Sequence, residues 1–155
     1  MAISPHVARL RQEVGHDLLL LPSVAVLPRD EDDRLLLVRL ADDGRWATIG
    51  GAVEPHEAPE EAARREALEE AGVVVTLRRL LAVVGGPGYE VTYPNGDRTA
   101  YVSAVYDAVV TGGHPVPDDD ETTEVAWFAE AELDGLALSA FNRRLLTDVL
   151  GLRCP

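Results

Sequence analysis

A chain of 155 residues, 46% of them apolar, is long enough for one domain with a sizeable core. Its 14 basic residues, all arginine, stand against 27 acidic ones for a net charge of −13, a surface that repels phosphate backbones and excludes a binder of nucleic-acid polymers. Cys154 is the only cysteine, which rules out an intrachain disulfide and fits a reducing, cytoplasmic setting.

Ser4-Pro5 is the pattern of an N-cap followed by proline at the first helical position. Val7, Leu10 and Val14 then recur at helical spacing until Gly15, so a leading helix is expected within residues 1–16. Its apolar stripe offers a surface for a homodimer. The apolar run 18–28 is too short to span a bilayer. It leads into charged residues rather than a small-residue cleavage site, so neither a membrane span nor a signal peptide is expected. Residues 23–29 and 34–40 read as strands around the polar turn Asp30-Glu31-Asp32-Asp33, which predicts a hairpin. Asp42-Asp43-Gly44 turns the chain toward Trp46, a core or pocket-wall residue. A glutamate-rich helix follows over 58–71 and stops near Gly72.

Residues 73–85 form the next strand region. Asn95-Gly96 marks a second hairpin within 89–110. An acidic loop (115–124) precedes a short strand (124–128). Ser139 caps a last helix whose apolar side carries Phe141, Leu145, Leu146, Val149 and Leu150, and Gly151 ends it. There is no internal repeat and no long linker, so residues 1–155 read as one domain, a mixed sheet covered by helices.

The helix over 58–71 is unusual in its charges. At about 100° per residue, with Glu66 at zero, Glu69 falls near about −60° and Glu70 near about +40°, so the three carboxylates share one arc. Ala63, Ala67 and Ala71 form an i, i+4 ridge beside them, small enough for the helix to lie close on a sheet. Early in the helix, Glu60–Arg64, Glu61–Arg65 and Arg65–Glu69 are favourable i, i+4 pairs of roughly 0.3 kcal/mol each. Glu66 with Glu69 and with Glu70 are like-charged neighbours, and they lie toward the negative end of the helix dipole. A solvated acidic face is the ordinary meaning of such a run. A divalent cation with a preference for hard oxygen ligands, Mg²⁺ or Mn²⁺, would remove the conflict.

The spacing decides between the two. Gly51, Glu57, Arg65, Glu66, Ala67, Glu69, Glu70, Gly72 and Val73 fit G-x5-E-x7-R-E-U-x-E-E-x-G-U, where U is aliphatic. Seven fixed residue types at ordinary frequencies should coincide in roughly one such chain in 10⁵–10⁶. This box, within residues 50–73, resembles that of the Nudix (MutT-like) hydrolases. Ala67 stands where a larger aliphatic is common and Ile49 where proline often precedes the two glycines; both are packing positions. The order of hairpins, late strand and last helix resembles the Nudix fold over nearly the whole chain.

The resemblance implies an α/β/α sandwich around a mixed sheet. It also implies hydrolysis of a pyrophosphate that joins a nucleoside to another group X, with Mg²⁺ as cofactor and a nucleotide-type small molecule as substrate. Carried over by position, Glu66 and Glu70 are metal ligands, and Glu69 is either a third ligand or the general base. Arg65 orients a glutamate, the Gly50 carbonyl joins the metal shell, and Glu57 braces the loop. A later acidic residue is often added. Asp118, Asp119, Asp120, Glu121 and Glu124 are available, and Glu121 is the choice. Arg39 and Arg45 are considered for a phosphate, Tyr89 and Tyr93 for stacking on a base. The four histidines share no ligand spacing. Two alternatives remain: a catalytically inactive Nudix-like ligand-sensing or partner-binding module, and an isoprenyl diphosphate isomerase. The first would lack the acidic triad, and the second would need a catalytic cysteine better placed than Cys154.

Overall fold

The computed structural model describes residues 4–152; Cys154 lies outside them. Helix α1 runs Pro5–Val14, with the Ser4 hydroxyl accepting from the Val7 N–H at 3.2 Å. Strands β1 (Leu19–Arg29), β2 (Leu35–Leu40) and β3 (Trp46–Ala47) follow. Helix α2 spans Pro59–Ala71, and β4 covers Val73–Val84. Then come β5 (Glu90–Thr92), β6 (Arg98–Gly113), β7 (Thr122–Phe128) and helix α3 (Ala140–Leu150). No helix among the described residues is long and apolar enough to cross a membrane.

The sheet order is β3-β2-β1-β6-β4, with β5 also on β6 and β7 also on β2. β1 pairs with β6 in parallel along its whole length, Leu19 with Thr99 through Arg29 with Val109; the other ladders are antiparallel. The sheet is therefore mixed, as expected. The predicted hairpin between β1 and β2 is real only at its tip, where Arg29 pairs with Leu35. Beyond the turn the two strands separate. β1 turns its edge to β6, while residues of the following loop bridge onto it at Val26–Ile49 and Ser23–Ala52.

Covered faces explain the unbroken apolar runs. Val24 through Leu27 and Leu35 through Val38 are all buried, because both sides of β1 and β2 carry helices. On one side Val24, Val26, Leu36 and Val38 pack against Ala62, Ala63, Ala67 and Ala71 of α2. On the other side Ala25, Leu27, Leu35 and Leu37 pack against Leu145 and Leu146 of α3. Each fully buried leucine or valine contributes roughly 1.5–3 kcal/mol. The architecture is the expected α/β/α sandwich. Helix α1 differs from the other two, since none of its residues is buried. Its stripe is only partly covered, and Val14 is exposed.

Candidate active site

The loop 48–52 carries the two glycines of the box between β3 and α2. The Ile49 and Gly51 carbonyls accept from the Val26 and Val24 N–H groups, which strings the loop along β1. Alanine at Gly50 would drive its Cβ into the Val24 carbonyl, and at Gly51 into the Glu66 carboxylate. The glycines thus let the loop pass between β1 and the acidic face of α2. From the other end of the loop, Thr48 donates through its N–H and its hydroxyl to Asn142 Oδ1 of α3, at 3.0 and 2.9 Å.

Glu66 and Glu70 point inward with the alanines; they are 9% and 5% exposed. Gly50 N–H donates to Glu70 Oε2 at 2.9 Å. Burial pushes the Glu70 carboxyl well above the usual carboxylate range. The Gly50 N–H pulls it back, while the charges of Glu66, Glu121 and Asp118 push it further up. Burial also raises Glu66, against the pull of Arg65. Glu69 is more exposed and lies at the mouth.

Arg65 is the cation among these groups. Its Nε and Nη2 donate to Glu57 at 2.7 and 3.0 Å, and Nη2 donates also to the Ala52 carbonyl at 3.1 Å. Its Nη1 donates to Glu66 at 2.7 Å and to Glu69 at 3.0 Å. All five N–H groups are spent within the chain. Of the expected i, i+4 pairs only Arg65–Glu69 forms: Arg64 donates to the Glu60 backbone carbonyl at 3.2 Å, and Glu61 does not meet Arg65. Glu61 instead turns back to accept from the Ala58 N–H at 2.9 Å, because the free amides of the first turn attract it. Glu57 also accepts from the Glu54 N–H at 3.0 Å, and so ties the loop before α2 to Arg65.

The acidic loop is folded by Asp118, whose Oδ1 accepts from the N–H groups of Asp120, Glu121 and Thr122. The fully buried Thr122 hydroxyl donates to the Glu70 carbonyl at 2.8 Å. Those two anchors bring Glu121 to the cleft, whereas Asp119, Asp120 and Glu124 do not line it.

The cleft holds about 470 Å³. Gly50, Gly51, Arg65, Glu66, Glu69, Glu70 and Glu121 share it with Tyr93 and with Ser4, Val7 and Arg11 of the α1 region. Four other sequence candidates lie elsewhere. Arg39 donates to the Gly44 carbonyl at 2.8 Å and faces Glu124, and Arg45 faces Asp43. Tyr89 is 3% exposed; its ring lies edge-on to Phe141 and its hydroxyl donates to Asp148 at 2.8 Å. Trp46 packs edge-on to Phe128 in the core. Sequence reasoning missed Asp42, Asn95, Asp97, Thr99 and Tyr101 in the cleft. Asp42, Asn95 and Asp97 look like turn chemistry, and nothing in a lone strand marks Thr99 or Tyr101.

The model of the NUDIX domain family matches residues 19–149. The chain belongs to the Nudix family. A MutT-like protein of Streptomyces ambofaciens is 34% identical over 124 residues, 80% of this chain and 73% of that one. The nucleoside triphosphatase NudI of Klebsiella pneumoniae (strain 342) is 34% identical over 119 residues, 72% of this chain and 84% of the relative. A MutT protein from Methanosarcina mazei Go1 shares the fold with a TM-score of 0.71 over 87% of this chain and 96% of its own, at 23% identity. This Nudix enzyme is therefore a hydrolase, and its box is the acidic wall of the cleft.

The donor set of that wall suits a hard divalent cation: several carboxylates, two of them buried, against one arginine. Among the described residues no three His, Cys, Asp or Glu side chains converge into a ready-made cage. Arg65 holds one oxygen of Glu66 and one of Glu69, and Gly50 holds one of Glu70, so each carboxylate keeps its other oxygen for a ligand.

Proposed function

We propose that this Nudix hydrolase cleaves a pyrophosphate bond of a nucleoside triphosphate, or of a related nucleoside diphosphate derivative, in a reaction that requires Mg²⁺, with Mn²⁺ able to replace it. One observation carries the reading. The phosphate end of the cleft gathers carboxylates, and the five donors of its arginine are already taken within the chain. A polyphosphate cannot enter such a wall without a cation of its own. The name of the Klebsiella relative, a nucleoside triphosphatase, favours the triphosphate.

Glu66, Glu70 and the Gly50 carbonyl would hold the metal, with Glu121 joining from the late loop. A bound Mg²⁺ would screen the phosphate oxygens and lower the pKa of a coordinated water. Glu69, the most accessible of the three glutamates, would accept the proton of the attacking water or complete the metal shell. Arg65 orients Glu66 and Glu69 by charge-assisted hydrogen bonds and does not contact substrate.

The test is product release from common nucleoside triphosphates and nucleotide sugars, with Mg²⁺ and with excess EDTA. Turnover should vanish with EDTA. Glu66→Gln should lower kcat by roughly 10²–10⁴, as for loss of a group acting at the reacting centre. Full turnover in metal-free buffer would overturn the reading.

A further inference from the structure

We propose that Asn142 of helix α3 is a positioning residue for the carboxylate side of the cleft. It fixes the register of the glycine loop, and through that register the place of the Gly50 peptide against Glu70. The proposal rests on the reading that Glu70 and the Gly50 carbonyl hold a divalent cation. Asn142 lies far from the box in sequence and is not among the residues that line the cleft. Its reach comes from the gap where β1 and β2 have parted. Ala47 still pairs with Val38 of β2, and Ile49 already bridges to Val26 of β1. Thr48 crosses between the two strands. Its N–H and its hydroxyl both donate to Asn142 Oδ1, at 3.0 and 2.9 Å, so a side chain of α3 stands in for a strand partner.

Thr48 and Asn142 are both buried, and buried donors left without an acceptor are costly. The pair therefore selects one register. Ala47 and Ile49 lie in the core with Ala63 and Ala67 of α2, whereas Thr48 meets α3. A slip by one residue would turn Thr48 onto those alanines and bring Ile49 against Asn142. A single buried polar group that fixes register is a known use of such residues. The consequence falls two residues on. Gly50 N–H donates to Glu70 Oε2 at 2.9 Å, and an added Cβ at Gly50 would strike the Val24 carbonyl, so this peptide has no room to compensate. The Val26 and Val24 N–H groups hold the Ile49 and Gly51 carbonyls at 2.8 and 2.9 Å, while Asn142 holds the start of the loop. Asn142 is itself held. It is the third residue of α3, and its backbone N–H and its Nδ2 donate to the hydroxyl of the cap, Ser139, at 3.2 and 3.0 Å. That leaves Oδ1 turned to Thr48.

The test measures Mn²⁺ binding to the tightest site of the full chain by electron paramagnetic resonance, with no substrate present. Beside it, kcat and KM are read for a nucleoside triphosphate at saturating Mg²⁺. Asn142→Leu keeps the volume and removes the acceptor. It should weaken Mn²⁺ binding at least about tenfold and lower kcat by about 10², with KM within about threefold, since a displaced group at the reacting centre costs rate and not ground-state binding. Asn142→Asp keeps an acceptor for Thr48. The Ser139 hydroxyl has a hydrogen for its second oxygen, and the first turn of α3, which holds no acidic residue, favours its charge. It should return both readouts to within about fivefold of the parent. Thr48→Val removes the hydroxyl, keeps the N–H, and should fall between the two. Parental Mn²⁺ affinity and kcat in Asn142→Leu, or an Asn142→Asp as impaired as Asn142→Leu, would overturn the proposal. Should Asn142→Leu fail to fold, Thr48→Val decides: loss of Mn²⁺ affinity and kcat at constant KM upholds the proposal, and parental values end it. A parent that binds no Mn²⁺ would sink the metal reading and this role of Asn142 with it, whereas a parent that binds Mn²⁺ as well as Asn142→Leu does would sink the role alone.

Discussion

Gly51 and Glu66 form a steric pair. An added methyl at 51 would occupy the place of the Glu66 carboxylate, the far end of a flexible side chain, so the side chain rather than the backbone would move. Gly51→Ala should therefore fold and lose activity. A displacement of about 1 Å at a reacting centre can cost roughly 10² in rate. Measuring kcat beside the melting temperature checks this, and an unchanged kcat would mean that Glu66 need not sit where it does. Glu66, Glu69, Glu70 and Arg65 are legible from the fixed spacing of the box alone. Asp42 and Asp97 are not, since aspartate within a turn that contains glycine has a sufficient explanation in turn geometry. Arg39, Arg45 and Tyr89 err the other way. Charge and aromaticity suggest ligands, and pairing with Glu124, Asp43 and Asp148 accounts for them instead.

Helix α2 combines a weak start with a charged finish. Its N-cap, Ala58, has no side-chain oxygen, so only half of a capping box exists, the half in which Glu61 accepts from the Ala58 N–H. Ala58→Ser would supply the other half, a side-chain acceptor for the Glu61 N–H, which now donates only to the Ala58 carbonyl at 2.9 Å. It should stabilise the fold by about 0.5–1 kcal/mol, read from a denaturant midpoint, with kcat/KM unaltered. A neutral or destabilising result would show that the first turn is already satisfied. The helices are readable because caps and periodicity are local: Ser4 and Ser139 cap as expected, at 3.2 Å each. Strand partners are not local. Alternation cannot show that β1 prefers β6 to β2, nor that Trp46–Ala47 pairs with β2 as a short strand of its own.

At the level of the whole molecule, a net charge of −13 and two buried glutamates mean that the folded state concentrates negative charge that the unfolded chain disperses. A cation that binds the folded cleft alone stabilises by mass action, about 2.7 kcal/mol at a free concentration one hundred times its Kd. The melting temperature should thus climb with MgCl₂ well beyond its response to NaCl at matched ionic strength. Superimposed curves for the two salts would count against a specific site.

The parallel ladder between β1 and β6 also sets a timetable. Each of its pairs, from Leu19 with Thr99 to Arg29 with Val109, joins residues 80 positions apart, and α2 lies within the closed segment. Such distant pairing slows folding, because the chain is ordered before most contacts reward it. On a ribosome adding about 5–20 residues per second, β1 waits roughly 4–16 s for its partner. During that interval the glutamate helix has been synthesised but has no complete sheet to lie on. The acidic wall is therefore completed late: it waits for β6, and then for Glu121 and for Asn142, which anchors the glycine loop.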